Sequence, residues 1–174
     1  DLPQGGSMSR SCFLKPGELY FGGGDVRVET LLGPCVSIVL WFPEAAKGGM
    51  CHFQLPGLRR VSEHARDLDG RYGVDAWVWL KQQMRVHALR LEQAQIKLFG
   101  GARSLSKPGS HLRTDIGAQN IAFVENLINE LGVPVAGRDL GGEGCRFLRF
   151  ELATGEVWVR RGAALSIESL EALP

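Results

Sequence analysis

Two residues in this chain can carry covalent chemistry if the fold brings them together. Cys35 lies in Thr30-Leu31-Leu32-Gly33-Pro34-Cys35-Val36, and His52 lies in Gly48-Gly49-Met50-Cys51-His52-Phe53-Gln54-Leu55-Pro56. A thiol beside an imidazole can form a thiolate–imidazolium pair. The thiolate attacks a carbonyl carbon, and the imidazole takes up the thiol proton and later returns it to the leaving group. Gly33-Pro34 sets Cys35 at a bend, where a side chain can reach a cleft and a substrate backbone can come close. Pro34 has no N–H, so a backbone donor to a developing oxyanion would come from Cys35 or Val36. Strand alternation puts Met50, His52 and Gln54 on one face and Cys51, Phe53 and Leu55 on the other, which makes Cys51 a packing residue.

Each of these residues has a plainer reading. A lone cysteine is more often a small buried hydrophobe than a nucleophile, and a lone histidine is more often a satisfied core residue than a catalyst. His64, His87 and His111 read as solvated surface residues. Gly22-Gly23-Gly24 and Gly141-Gly142-Glu143-Gly144 lack the spacing of a phosphate-binding loop and read as turn glycines. Trp77 and Trp79 fall in a helical stretch as core and rim.

The elements that must position the pair follow from periodicity. Arg27–Leu31 is a short strand, ended by Gly33-Pro34. Val36–Phe42 is apolar at nearly every position, as in a strand covered on both faces. Pro43 to Gly49 turns into a strand at Met50–Leu55, and 59–71 reads as a surface loop. Val74, Trp77, Val78, Met84 and Ala88 recur at helical spacing over 74–88. A strand follows at Gln95–Phe99, then a loop at 104–113. A second helix from Asp115 to Leu131 carries the stripe Ile121, Val124, Ile128 and Leu131 and stops at Gly132 and Pro134. Strands at 134–140, 146–151 and 156–160 come next, the last two joined by the turn Leu152-Ala153-Thr154-Gly155. A short helix is expected at 165–173. Strands at the front and back with two helices between predict an α+β domain of mixed, largely antiparallel sheets. Residues 1–16 are expected to form a flexible N-terminal segment and 17–174 a single domain.

Composition narrows the functional classes. The chain has 174 residues, and 44% hydrophobic with 22% charged residues is ordinary for one globular domain. Twenty Lys and Arg against nineteen Asp and Glu give +1, without the basic footprint that nucleic-acid binding requires. No apolar run is long enough to span a bilayer, so no membrane insertion and a cytoplasmic location are expected. The four cysteines, Cys12, Cys35, Cys51 and Cys145, form no C-x-x-C pair. Reduced thiols are expected, with no metal and no cofactor.

With these residues in this order, the chain resembles the CheD family of chemoreceptor glutamine deamidases from about Gly17 to Arg160. The family's T-x-L-G-S-C appears as Thr30 to Cys35, with Pro34 where the pattern has Ser. G-G-M-x-H-F-x-L-P is intact at Gly48–Pro56, and R-Y-G stands at Arg71–Gly73. K-x-F-G-G-A stands at Lys97–Ala102 and I-G-x-x-N at Ile116–Asn120. Asp139, Gly141, Gly142, Arg146, Thr154 and Gly155 complete the pattern. The resemblance implies a Cys–His hydrolase fold similar to bacterial toxin deamidases. It implies Cys35 as nucleophile, His52 as base and a Thr, mapped to Thr30, as third member; Glu29 competes for that place, and Asn120 is next to examine. It also implies a chemoreceptor cytoplasmic domain as substrate, a methylesterase side activity on receptor glutamyl esters, and a CheC-type phosphatase as partner; Phe99 is either a core residue, the commoner role, or part of the surface that meets that partner.

Two rival readings remain. A non-catalytic module binding the phosphatase or receptor would need no reactive Cys35. A redox-sensing thiol would need a resolving cysteine nearby, and Cys51, the nearest in sequence, is expected to point away.

Overall fold

The computed structural model describes residues 10–58, 67–103 and 115–162. Nine strands and two α-helices follow in the order β1 (Arg10–Leu14), β2 (Leu19–Gly23), β3 (Val26–Leu32), β4 (Val36–Phe42), β5 (Lys47–Cys51), α1 (Gly73–Val86), β6 (Gln95–Gly100), α2 (Ile116–Leu131), β7 (Gly137–Leu140), β8 (Cys145–Glu151) and β9 (Val157–Gly162). The strands form a four-stranded sheet, β1-β3-β8-β9, and a five-stranded sheet, β2-β5-β4-β6-β7. Among the described strands, only β1 with β3 and β6 with β7 pair in parallel, so the α+β, largely antiparallel expectation holds.

Alternation divides the core into two layers. In β4, Val36, Ile38, Leu40 and Phe42 join Trp77, Leu80, Met84, Val124 and Ile128 in a cluster under the helices. Val39 and Trp41 point the other way and meet Val28, Leu32, Leu148 and Phe150 of the four-stranded sheet. The order is therefore sheet, sheet, helices, and β4 is buried on both faces, as its unbroken apolar run requires. α1 and α2 hold because their apolar stripes face this layer. α2 also has Asp115 accepting from Ala118 N–H at its start and left-handed Gly132 at its end.

Several expectations change. Residues 10–14, placed in a flexible segment from sequence, form β1 beside β3, with Leu14 only 2% exposed in the inter-sheet core. Leu19–Gly23 forms β2, so Gly22 and Gly23 are strand residues opposite Gly48 and Lys47. The strand expected at 50–55 runs from Lys47 to Cys51, with isolated bridges continuing at Phe53 and Leu55. Along α1, Ala88 falls beyond the helix end with positive φ, and Ala76 and Leu80 are buried instead. Phe99 is 5% exposed, packed between the sheets as a core residue. The expected terminal helix at 165–173, the loop at 104–113, His64 and His111 lie outside the described residues.

Candidate active site

Thr30 and His52 meet where the two sheets come together. In β3, Val26, Val28, Thr30 and Leu32 are the buried positions facing the five-stranded sheet. Glu29 lies on the opposite face, 3.6 Å from Arg149. His52 follows β5 on the same face as Met50 and is 2% exposed. Its backbone carbonyl accepts from Gly17 N–H at 2.8 Å. Its Nδ1 lies 2.7 Å from Thr30 Oγ1.

Proton counting fixes the tautomer. Thr30 has one hydroxyl proton, and Oγ1 donates it to Leu14 O at 2.7 Å. Thr30 therefore accepts from His52 Nδ1–H, and the lone pair of Nε2 is left for other chemistry.

Cys35 lies on that same face. Val36 and Phe53 exchange both backbone hydrogen bonds, at 3.1 and 3.0 Å, and this pairing keeps the register of Val39 with Met50. It sets Ser37 across from His52 and makes Cys35 and His52 diagonal neighbours, roughly 7–8 Å apart between Cα atoms, a gap that two side chains can span. Cys35 packs against the inter-sheet cluster and is partly exposed. Val36 N–H is committed to Phe53 O, which leaves the Cys35 N–H as the backbone donor beside the thiol.

Two segments hold the Cys35 bend. Gly101 N–H donates to Cys35 O at 2.8 Å and Ala102 N–H to Gly33 O at 3.0 Å. Gly100 has φ +109°, and a Cβ there would overlap Cys35 O. From α2, Asn120 Nδ2 donates to both Pro34 O and Gln54 O, each at 2.9 Å. Among the described residues, the Ser37 hydroxyl and Asn120 Oδ1 are buried without a hydrogen-bond partner. Ser37 escaped the sequence reading although alternation in β4 places it with Cys35.

Burial sets the charges. Desolvation pushes the Cys35 thiol up to about 11, offset in small part by its own N–H. Desolvation pushes His52 down to about 4, opposed by the Leu14 carbonyl and then by the charge of Glu18. The resting pair is thus a neutral thiol and a neutral imidazole. This differs from the thiolate–imidazolium pair the sequence suggests, because the Leu14 carbonyl and the charge of Glu18 offset only part of the cost of taking the imidazolium out of water, and the Cys35 N–H only part of that of the thiolate.

The other sequence candidates lie apart. Cys51 faces the helices, fully buried, and its sulfur accepts from Ile38 N–H. His87 caps the end of α1 and stacks on Phe21 with centroids 4.8 Å apart. A cleft of about 510 Å³ lined by Arg27, Phe147, Arg149, Glu151, Trp158 and Arg160 lies on the outward face of the four-stranded sheet, away from Cys35 and His52. Among the described residues, no group of three or more His, Cys, Asp or Glu side chains could hold a metal, and no helix is long and apolar enough to cross a membrane.

The family model described as CheD chemotactic sensory transduction matches residues 54–161. The chain belongs to the CheD family. It is 36% identical to a probable chemoreceptor glutamine deamidase CheD of Chromobacterium violaceum over 166 residues, covering 95% of this chain and 85% of the relative. A similarly named protein of Dechloromonas aromatica is 40% identical over 147 residues, 84% of this chain and 85% of the relative. One of Pseudomonas fluorescens is 38% identical over 148 residues, 84% of this chain and 82% of the relative. The CheD model match begins two residues after His52 and takes in Asn120 and Arg146.

Proposed function

We propose that this CheD-family chain hydrolyses glutamine side chains of chemoreceptors to glutamate, with Cys35 as nucleophile, His52 as general base and acid, and Thr30 as the residue that orients His52. The observation that carries the reading is the Thr30–His52 contact at 2.7 Å, which engages Nδ1 and leaves Nε2 for chemistry, with Cys35 packed against the same inter-sheet cluster. The names of the CheD relatives supply the substrate class.

The steps follow from the neutral resting pair. Nε2 accepts the thiol proton as Sγ attacks the carboxamide carbon, so the proton moves with the attack instead of before it. The S–C bond forms, and the carbonyl π electrons move to oxygen, where Cys35 N–H is placed to donate. Nε2–H protonates the amide nitrogen, the C–N bond breaks, and ammonia leaves. Water, deprotonated by Nε2, attacks the thioester; the C–S bond breaks, the proton returns to sulfur, and glutamate is released.

The reading extends to a Cys–His hydrolase fold like that of bacterial toxin deamidases, to one catalytic domain, and to a CheC-type phosphatase as partner. The test is to incubate a purified receptor cytoplasmic fragment with the chain and follow Gln-to-Glu conversion peptide by peptide with mass spectrometry. Conversion that the Cys35→Ala variant lacks supports the reading. A fragment left unchanged by the active chain refutes it.

A further inference from the structure

We infer that Asn120 is a positioning residue that sets the spacing of Cys35 and His52. The inference rests on the Cys35–His52 reading above. Antiparallel pairing alternates, so after Val36–Phe53 the next hydrogen-bonded rung would join residue 34 to residue 55. Residue 34 is proline, which has no N–H to give. Leu55 is engaged elsewhere: its N–H donates to Arg71 O at 3.1 Å, and its carbonyl accepts from Gly73 N–H at 2.8 Å. The ladder therefore stops at the two strand segments that carry the nucleophile and the base.

Asn120 supplies the missing tie. One nitrogen, Nδ2, donates to Pro34 O beside Cys35 and to Gln54 O two residues after His52. The side chain is fully buried, and α2 can reach this place because Gly117 packs directly on the Gly101 and Ala102 carbonyls, where a Cβ would collide. Only a primary amide puts two donors on one atom at this length. An isosteric carboxylate would turn both contacts into repulsions between oxygens. A serine would keep at most one. The clamp fixes two backbones rather than the reacting atoms, so its loss acts through the distance between thiol and imidazole, and a misplacement of this kind can cost about a hundredfold in rate.

The test reads the dependence of Cys35 on His52 without requiring a receptor. Iodoacetamide is applied to the full chain at neutral pH, and carboxamidomethylation of the Cys35 peptide is timed by mass spectrometry in four proteins: wild type, His52→Ala, Asn120→Ala and the double variant, each checked by thermal melting. The ratio of rates with and without His52 is the measure. The expected result is a ratio well above one in the wild-type background that falls to near one when Asn120 is replaced. Should Asn120→Ala fail to fold, Asn120→Ser, which retains one donor, is read in the same cycle and is expected to lower the ratio in part. Asn120→Asp, which puts oxygens where both donors stood, is expected to lower the ratio at least as far as Asn120→Ala. A ratio unchanged by these replacements would overturn the inference alone. A wild-type ratio of one would overturn the Cys35–His52 reading, and this inference with it.

Discussion

Thr30 Oγ1 and His52 Nδ1 are 2.7 Å apart although they belong to different sheets, and the same hydroxyl reaches Leu14 O on a third strand. The contact ties β1, β3 and the end of β5 at one point, so one side chain serves both the fold and the imidazole orientation. Thr30→Val keeps the shape and removes both bonds. Losing one neutral hydrogen bond costs about 0.5–1.5 kcal/mol net, which is roughly a tenfold fall in kcat if it is felt in the transition state. Thr30→Ser should stay near the wild-type rate. Glu29→Ala should too, because Glu29 faces Arg149 on the outward side. Initial deamidation rates of the three variants check this; a fall in Glu29→Ala alone would mean that Thr30 does not orient the base.

Cys35→Ala should abolish deamidation while the melting temperature stays close to wild type, since Cys35 is partly exposed and its thiol holds no other element in place. Cys12→Ala and Cys145→Ala should retain activity. Cys51→Ala should also retain activity per folded molecule but melt earlier, because it opens a cavity beneath the helices and removes the acceptor of Ile38 N–H. Paired rate and melting measurements on the four variants distinguish these outcomes.

How much of this was legible in the sequence depended on what each feature required. β4 and α2 were readable because an unbroken apolar run and a capped 3.6-residue stripe are local signals. β1 was not: Arg10-Ser11-Cys12-Phe13-Leu14 has little alternation, and its strand state comes from parallel pairing with β3. β2 was hidden by Gly22 and Gly23, whose partners are Gly48 and Lys47. Glu29 and Thr30 could not be separated because a one-residue shift swaps the faces of a strand; pairing of Thr30 with Leu148 and its burial beside the second sheet determine which one turns inward. Asn120 was visible as a motif residue but not as a clamp, since its two acceptors lie 86 and 66 residues away. The neutral state of the pair follows from burial between two sheets, which no local pattern encodes.

That neutral state gives a pH prediction for the thiol. Cys35 is raised to about 11, so in His52→Ala, where no imidazole shares its proton, its rate of alkylation should keep climbing with pH well past neutrality. In the wild type, assistance by His52 should add a pH-independent component across the neutral range. A stopped-flow alkylation profile resolved to the Cys35 peptide in both proteins separates the two shapes, and a neutral-range plateau in His52→Ala would contradict the raised thiol derived from burial.

His52 gives a stability prediction of definite sign. Its folded value is lowered to about 4 from the ordinary 6.5, so between those values the unfolded chain binds the proton that the native chain refuses. Stability should therefore fall as pH drops from about 6.5 toward about 4, by at most about 3 kcal/mol from this residue. Urea melts across that range should show a shallower slope for His52→Gln than for wild type. Equal slopes would mean that another group carries the dependence.

Arg146 links the four-stranded sheet to the Cys35 bend. It is fully buried in β8, and its guanidinium pairs with Asp139 at 2.8 Å, donates to Gly100 O at 3.1 Å, and donates also to Gly141 O. Gly100 stands against Cys35 O, and Gly101 N–H donates to that same carbonyl. Arg146→Leu removes the donor that Asp139, Gly100 O and Gly141 O share; Asp139 is partly exposed and Arg161 stays near it, so the loss should be about 1–3 kcal/mol. Arg146→Lys should recover little, because an ammonium lacks the planar fork that serves three acceptors at once. Asp139→Asn should cost less, since Asp139 is partly exposed and the two carbonyl contacts survive. Denaturant melts rank the three variants. Assays under conditions where each is folded should show Arg146→Leu also slowed, through loosening of the Gly100–Ala102 support. An Arg146→Leu variant as stable as wild type would show that Arg146 does not hold this end of the sheets together.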